Sequence, residues 1–240
     1  MLKPVEKKSL ADAVFEQLRE EIVSGRMEPG STLPAERALV EMLNVNRGAV
    51  REALKKLEQA RLITIQHGGA TRVLDFRETG GLDLIAALVT RDGRLEPRVV
   101  RGFMELRSGL GTDIARRCAE RAPERGASLL EITTGMSEAQ RDLNELLALN
   151  IQFWTELVEG SGNVAYRLAY NTVRDLLDEL SSIFASLLAP ETTDVETHRR
   201  IAQAIADGDV DDAEFYARDL LSRGEERVSQ VTELIAPEGS

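Results

Sequence analysis

Three cations set four residues apart, Arg47, Arg51 and Lys55, are the most chemically suggestive grouping in this 240-residue chain. Arginine carries a planar fork of donors that matches the O6/N7 edge of guanine. A spacing of four stacks such side chains on one side of a helix. Gly48 and Ala49, between the arginines, leave room for a backbone to approach a duplex closely, and Asn46 immediately precedes the group. Arg37, ten residues earlier, is placed to grip a phosphate. A solvated helix face is the blander role for the same residues, because that is what most charge runs are.

Other chemistry is sparse. The chain has two histidines, His67 and His198, and one cysteine, Cys118, so it forms no internal disulfide and has few ligands for a metal. A single cysteine fits a reducing cytoplasm. No nucleophile–base pair, phosphate loop or carboxylate cluster is recognisable, which argues against an enzyme. No apolar run is long enough to span a bilayer, and the start MLKPVEKKSL lacks a signal-peptide core, so no membrane role is expected.

These cations need a rigid mount, and the residues around them supply one. Ser9 caps a helix with Leu10, Val14, Leu18 and Ile22 on its apolar face. Gly25 ends it, and Pro29-Gly30 makes a turn. A second helix from Pro34 buries Ala38, Leu39, Met42 and Leu43. Asn44-Val45-Asn46 connects it to a third, from about Arg47 to Ala60, with Val50, Leu54 and Leu57 inward. The β-branched runs Leu62–Ile65 and Thr71–Leu74 flank a Gly68-Gly69 tip and read as a hairpin. His67 at that tip is either an exposed polar residue or a small ring able to enter a minor groove beside Gly68. Helix, helix, turn, helix, hairpin is the order of a winged helix-turn-helix.

The net charge of −11 argues against a nucleic-acid binder until it is divided along the chain. Residues 1–75 balance at +1 and residues 76–240 at −12. All five lysines lie in the first part, where Arg37–Arg72 holds seven basic and three acidic residues. A small domain facing a polyanion and a larger acidic domain follow from that division. Residues 1–75 are the expected DNA-binding domain, 76–81 a polar linker and 82–240 a helical domain. In the last, periodicity recurs over about 82–90, 96–121, 126–133, 137–159, 163–188, 193–206 and 210–235. The expected fold is therefore mainly α, a winged helix-turn-helix with a small hairpin followed by an all-α antiparallel bundle.

Leu33-Pro34-Ala35-Glu36-Arg37 and Asn46-Arg47-Gly48-Ala49-Val50-Arg51-Glu52-Ala53-Leu54 resemble the winged-helix signature of the GntR family of transcriptional regulators. Ile63–Gly68 and Phe76–Leu82 are similar to the fatty-acid-responsive branch of its FadR subfamily. The resemblance implies operator contacts from Arg37, Arg47, Arg51, His67 and Gly68. The chain departs from the pattern at Asn46, Gly48 and Ala49, so the binding mode carries over and the operator sequence does not.

Glu105-Leu106-Arg107, Gly160-Ser161-Gly162-Asn163 and His198 through Gly208-Asp209 resemble the effector domains of that subfamily. Many members hold a metal there through three histidines and an aspartate. The matching positions here are Asn150, Trp154, His198 and Leu220, a set too poor in ligands for a metal. An interior made more apolar by Trp154 and Leu220 suits a hydrophobic ligand, and the fatty-acid-responsive branch binds long-chain acyl-CoA without metal. Arg107, on an otherwise apolar helix, either anchors an anionic group or pairs with one of the many acids.

The expected function is thus a cytoplasmic homodimer on a palindromic operator, with no cofactor. It is released by an acyl-CoA or fatty-acid derivative bound around Arg107, Trp154, Asn163, His198 and Leu220. A small organic acid held by Arg107, or no effector at all, is the alternative.

Overall fold

A computed structural model describes residues 9–66, 70–91, 94–139, 142–181, 184 and 187–235. The chain divides into two compact units, Met1–Arg94 and Leu95–Ser240.

In the first unit, α1 (Leu10–Val23) opens with a capping box. The Ser9 hydroxyl accepts from the Asp12 amide, and the Asp12 carboxylate accepts from the Ser9 amide. Its buried stripe is Ala11, Val14, Leu18 and Ile22. Leu10 was expected inside and is 56% exposed. A strict spacing of four drifts by about 40° per step around a 3.6-residue helix, so by Leu10 the row has left the core and Ala11 replaces it.

Helix α2 (Glu36–Leu43) ends on Asn44, which adopts the left-handed conformation at φ 50°, ψ 47°. Asn is one of the few side chains that tolerates this. Met42, also expected inside, is 71% exposed, while Leu39 is buried and Leu43 partly so. Two residues after Asn44, Asn46 caps α3 (Arg47–Gln59) by accepting from the Ala49 amide at 2.9 Å. The tight α2–α3 connection is thus two asparagines doing different backbone jobs.

Val50, Ala53, Leu54 and Leu57 of α3 pack with α1, Leu33, Leu39 and the hairpin in one apolar cluster. The hairpin pairs β1 (Ile63–Ile65) with β2 (Thr71–Val73) antiparallel, in register Ile63 with Val73 and Ile65 with Thr71. Thr32 bridges Arg72 as a short third strand.

The boundary of this unit differs from the expected linker. Residues Phe76–Thr79 form α4, capped by the Asp75 carboxylate, and the Thr79 hydroxyl donates to the Arg61 carbonyl at 2.7 Å. Leu84 is 3% exposed in the same core, followed by α5 (Ile85–Val89). Segment 76–81 is therefore fastened to the winged domain, and the unit continues to Arg94. A polar, glycine-containing composition does not reveal a hydroxyl bonded back to a carbonyl eighteen residues earlier.

The second unit is helical, with α6 (Pro97–Arg121), α7 (Gly126–Glu138), α8 (Leu143–Gly160), α9 (Val164–Glu179), α10 (Ala189–Thr192), α11 (Val195–Asp207) and α12 (Val210–Ile235). Helix α7 continues beyond the expected break, and α8 starts where the Asp142 carboxylate accepts from the Asn144 and Glu145 amides. Its core runs through Ile114, Cys118, Phe153, Leu157, Ile201, Ile205, Leu220 and Leu221. Glycines admit the closest approaches. A Cβ on Gly126 would lie 2.4 Å from Ala206, and one on Gly160 would lie 2.3 Å from the Cys118 sulfur.

Candidate functional site

Helix α3 buries one face and presents the other to solvent. Arg47, Gly48, Arg51 and Lys55 are all exposed, and Arg47 and Lys55 have no side-chain partner among the described residues. Arg51 pairs with Glu36 at 2.9 Å and Arg37 with Glu41 at 3.1 Å, both solvent-exposed. Exposed pairs of this kind contribute at most about 1 kcal/mol. A phosphate or a guanine edge can therefore displace either carboxylate at small cost.

Two residues expected on this face have other work. Ala49 is 7% exposed and belongs to the buried side of α3. Asn46 spends its carbonyl oxygen on the helix cap. Three residues after Asn46, Ala49 has already turned to the side shared by Val50 and Ala53, whereas Gly48 remains outward. His67 and Gly68 lie outside the described residues.

The second unit contains a cavity of about 330 Å³, bounded mainly by α6, α8 and α9 and by Ser181, Phe184 and Leu188. Leu110, Ile114, Leu147, Ile151, Val173, Leu177, Phe184, Leu188 and Leu221 make its lining predominantly apolar. Gly111 helps shape the wall, since a Cβ there would lie 2.7 Å from Leu221 and 3.1 Å from the Trp154 ring.

Of the five residues expected to hold an effector, Arg107 and Trp154 line this cavity and three do not. Asn163 caps α9 through the Ala165 amide at 2.9 Å. Leu220 is wholly buried in the core. His198 is fully enclosed, edge-on to Phe153 with ring centroids 4.9 Å apart.

His198 Nδ1 donates to the Asp194 carbonyl at 2.8 Å, and Nε2 lies 3.0 Å from the terminal amide of Asn150. Burial pushes its pKa from 6.5 down to about 4. The ring is accordingly neutral near pH 7, with an acceptor at Nε2, so the Asn150 amide must present its N–H there. An amide, an indole, an alkyl group and an imidazole already bonded at both nitrogens do not fit a metal ion.

Arg107 is 7% exposed and makes a two-pronged contact with Glu191 of α10, one prong at 2.9 Å. Glu191 is completely buried, and Gly224 of α12 admits it, because a Cβ at that glycine would lie 2.8 Å from Glu191 Oε2. Of the two roles left open for Arg107, the pairing with an acid is the one seen here, and Arg107 also lines the cavity. Glu191 was missed from sequence, since Ala189-Pro190-Glu191-Thr192 reads only as a helix break around proline.

Two polar atoms on cavity-lining side chains, Trp154 Nε1 and Thr192 Oγ1, are buried without a hydrogen-bond partner among the described residues. Such an atom costs about 1–3 kcal/mol. Cys118 is buried, and its thiol is pushed up to about 12 by desolvation, which makes it an inert core residue. Among the described residues no helix is long and apolar enough to cross a membrane.

Comparison with known proteins agrees with this division of labour. Residues 10–73 match the bacterial regulatory proteins of the gntR family, and residues 103–223 match the FCD domain. The chain is 36% identical over 220 residues to the HTH-type transcriptional regulator Mce2R of Mycobacterium tuberculosis, covering 92% of each chain. It is 30% identical over 182 residues to the fatty acid metabolism regulator protein of Cronobacter sakazakii, covering 76% of this chain and 75% of that one. A protein of the same name from Proteus mirabilis is 28% identical, covering 82% of each.

Among solved structures, the Listeria monocytogenes protein Lar superposes with a TM-score of 0.59 at 15% identity, covering 95% of this chain and 100% of its own. That match supports the fold. The chain belongs to the GntR family of transcriptional regulators, with a winged helix-turn-helix joined to an FCD domain.

Proposed function

We propose that this regulator binds a two-fold-symmetric operator as a homodimer and is released by an acyl ligand, an acyl-CoA or related fatty-acid derivative, held in the cavity of the helical unit. The exposed cationic face of α3, with Arg47 and Lys55 unpaired among the described residues beside Arg51, carries the DNA half of this reading. Arg47 and Arg51 read base edges, Gly48 lets the helix approach, and Arg37 and Lys55 hold phosphates. His67 and Gly68 enter the adjacent minor groove from the wing. One winged helix spans few base pairs, so useful specificity requires a pair of them.

The apolar cavity supports an acyl effector, and relatives named as fatty acid metabolism regulators agree with that chemistry. The Arg107–Glu191 pair disfavours a small organic acid held by Arg107, because that cation is already neutralised. The effector acts by binding the DNA-incompetent arrangement more tightly than the competent one. A tenfold loss of operator affinity requires only about 1.4 kcal/mol of coupling. The test is an operator-binding isotherm with and without saturating long-chain acyl-CoA. A shift to weaker binding is expected, and an unmoved isotherm removes the acyl effector while leaving the DNA reading in place.

A further inference from the structure

Resting on the reading of the cavity as the seat of an acyl ligand, we infer that the ligand lies tail inward with an anionic head group on Arg174, at a mouth between α8 and α9. The head is the carboxylate of a free fatty acid or a phosphate of its CoA thioester, and Arg174 is the residue that selects it.

Exposure locates the mouth, because a lining residue that also reaches solvent must stand where the cavity opens. Along α9 the lining row starts buried at Tyr170 and Val173 and ends exposed at Asp178 and Ser181. Along α8 it runs the other way, from exposed Ile151 to buried Trp154. Only residues 161–163 separate the two helices, and the Tyr170 hydroxyl donates to the Ile151 carbonyl at 3.3 Å. The exposed stretches therefore fall on one side. Phe184, Thr192 and Leu221, all buried, belong to the closed interior. An alkyl chain gains by entering such a space and an ionised group loses, which sets the tail inside and the head at the rim.

Two cations line the cavity, and one of them is free to serve. Arg107 is committed to the buried Glu191. Arg174 is bonded to Asp175 at 2.8 Å, but these side chains are 42% and 69% exposed, and Asp175 is not on the lining. An exposed pair of this kind holds weakly, and Asp175 recovers its water on release. The planar guanidinium then offers a carboxylate or phosphate two parallel hydrogen bonds, while the head keeps part of its own hydration. Asp178, exposed on the same rim four residues on, opposes an anion, so its removal strengthens the site.

The experiment is titration of the full-length protein with decanoate, decanol and decanoyl-CoA. Binding is followed by the fluorescence of Trp154, the one tryptophan in the chain and part of the cavity wall. Arg174→Gln is expected to weaken decanoate or decanoyl-CoA by about three- to tenfold and leave decanol unmoved, and Arg174→Lys to restore most of that loss. Asp178→Asn is expected to strengthen the same ligand by about twofold. Whichever of the two anions responds identifies the head as carboxylate or phosphate.

Decanoate and decanoyl-CoA both binding Arg174→Gln as tightly as the unaltered protein overturns the placement of the head and leaves the cavity as an effector site. Decanol weakened as much as the anions does the same, since Arg174 then only shapes the wall. Decylamine binding more tightly than decanoate, and losing that advantage in Asp178→Asn, overturns it in favour of a cationic head. No response to any of these probes removes the cavity reading itself, and the inference with it.

Discussion

Arg51 and Lys55 sit one helical turn apart on the same exposed face, yet they should fail differently when removed. Arg51→Ala should cost about 1–3 kcal/mol and relax preference at one base pair per half-site. Lys55→Ala should weaken binding evenly across sequences and lower the salt dependence by about one unit of slope. Anisotropy titrations on matched and mismatched duplexes over a salt series separate the two. Equal losses on all duplexes for Arg51→Ala would reduce that residue to a phosphate contact.

Residue chemistry also governs the enclosed imidazole. An unfolded chain takes up a proton at His198 near pH 6.5, whereas the folded chain resists until about pH 4 because of burial. The stability this group contributes is therefore complete above about pH 6.5 and is lost as pH falls toward 4. At 1.36 kcal/mol per pKa unit, the loss between pH 7.5 and pH 5 is about 2 kcal/mol. Urea unfolding at the two pH values should show that slope, and His198→Gln should flatten it. The histidine itself was visible in sequence as a lone group with few partners. Its seat against Asp194, Asn150 and Phe153 was not, because those contacts join segments far apart in the chain.

At the scale of elements, the N-terminal helices were legible because their signals are local. Asn46 announces the start of α3, and Val50, Leu54 and Leu57 recur at helical spacing, so the exposed cationic face follows by subtraction. Asn46→Ala should cost about 0.5–2 kcal/mol of stability through loss of the cap. Chemical denaturation would reveal that cost, and no change would mean that the Ala49 amide finds another acceptor. The same reasoning failed for Phe76–Thr79, where a polar composition looked like a linker and the Thr79 hydroxyl in fact ties the segment to Arg61. It failed again for α10, a single turn whose importance lies in one buried carboxylate.

Glu191→Ala would leave Arg107 buried and unmatched and should destabilise the helical unit by about 3–5 kcal/mol. A lowered denaturation midpoint would register this. An unchanged midpoint would show that Arg107 reaches solvent once released.

The molecule as a whole separates its charge. A near-neutral first part with a basic stretch and a strongly acidic remainder confine attraction for a polyanion to one end of the chain. That asymmetry was readable from composition alone, as was the order of elements. The cavity was not. Its lining comes from α6, α8, α9, Ser181, Phe184, Leu188, Thr192 of α10 and Leu221 of α12, and no window of sequence holds more than a fraction of it. Trp154 came from the family resemblance and Arg107 from its charge on an apolar helix, and both lie on the cavity wall, while Asn163 serves a cap and Leu220 the core.

The account's central claim is that the α3 face reads duplex sequence. Its most direct measurement is selection of bound duplexes from a randomised pool by the full-length protein at about 0.15 M salt, a concentration at which charge attraction is already screened beyond about 8 Å. The account predicts enrichment of a two-fold-symmetric motif, with one base pair per half-site losing definition in Arg51→Ala. A recovered pool no different from the starting one, or a motif unchanged by Arg51→Ala and by Arg47→Ala, would contradict it.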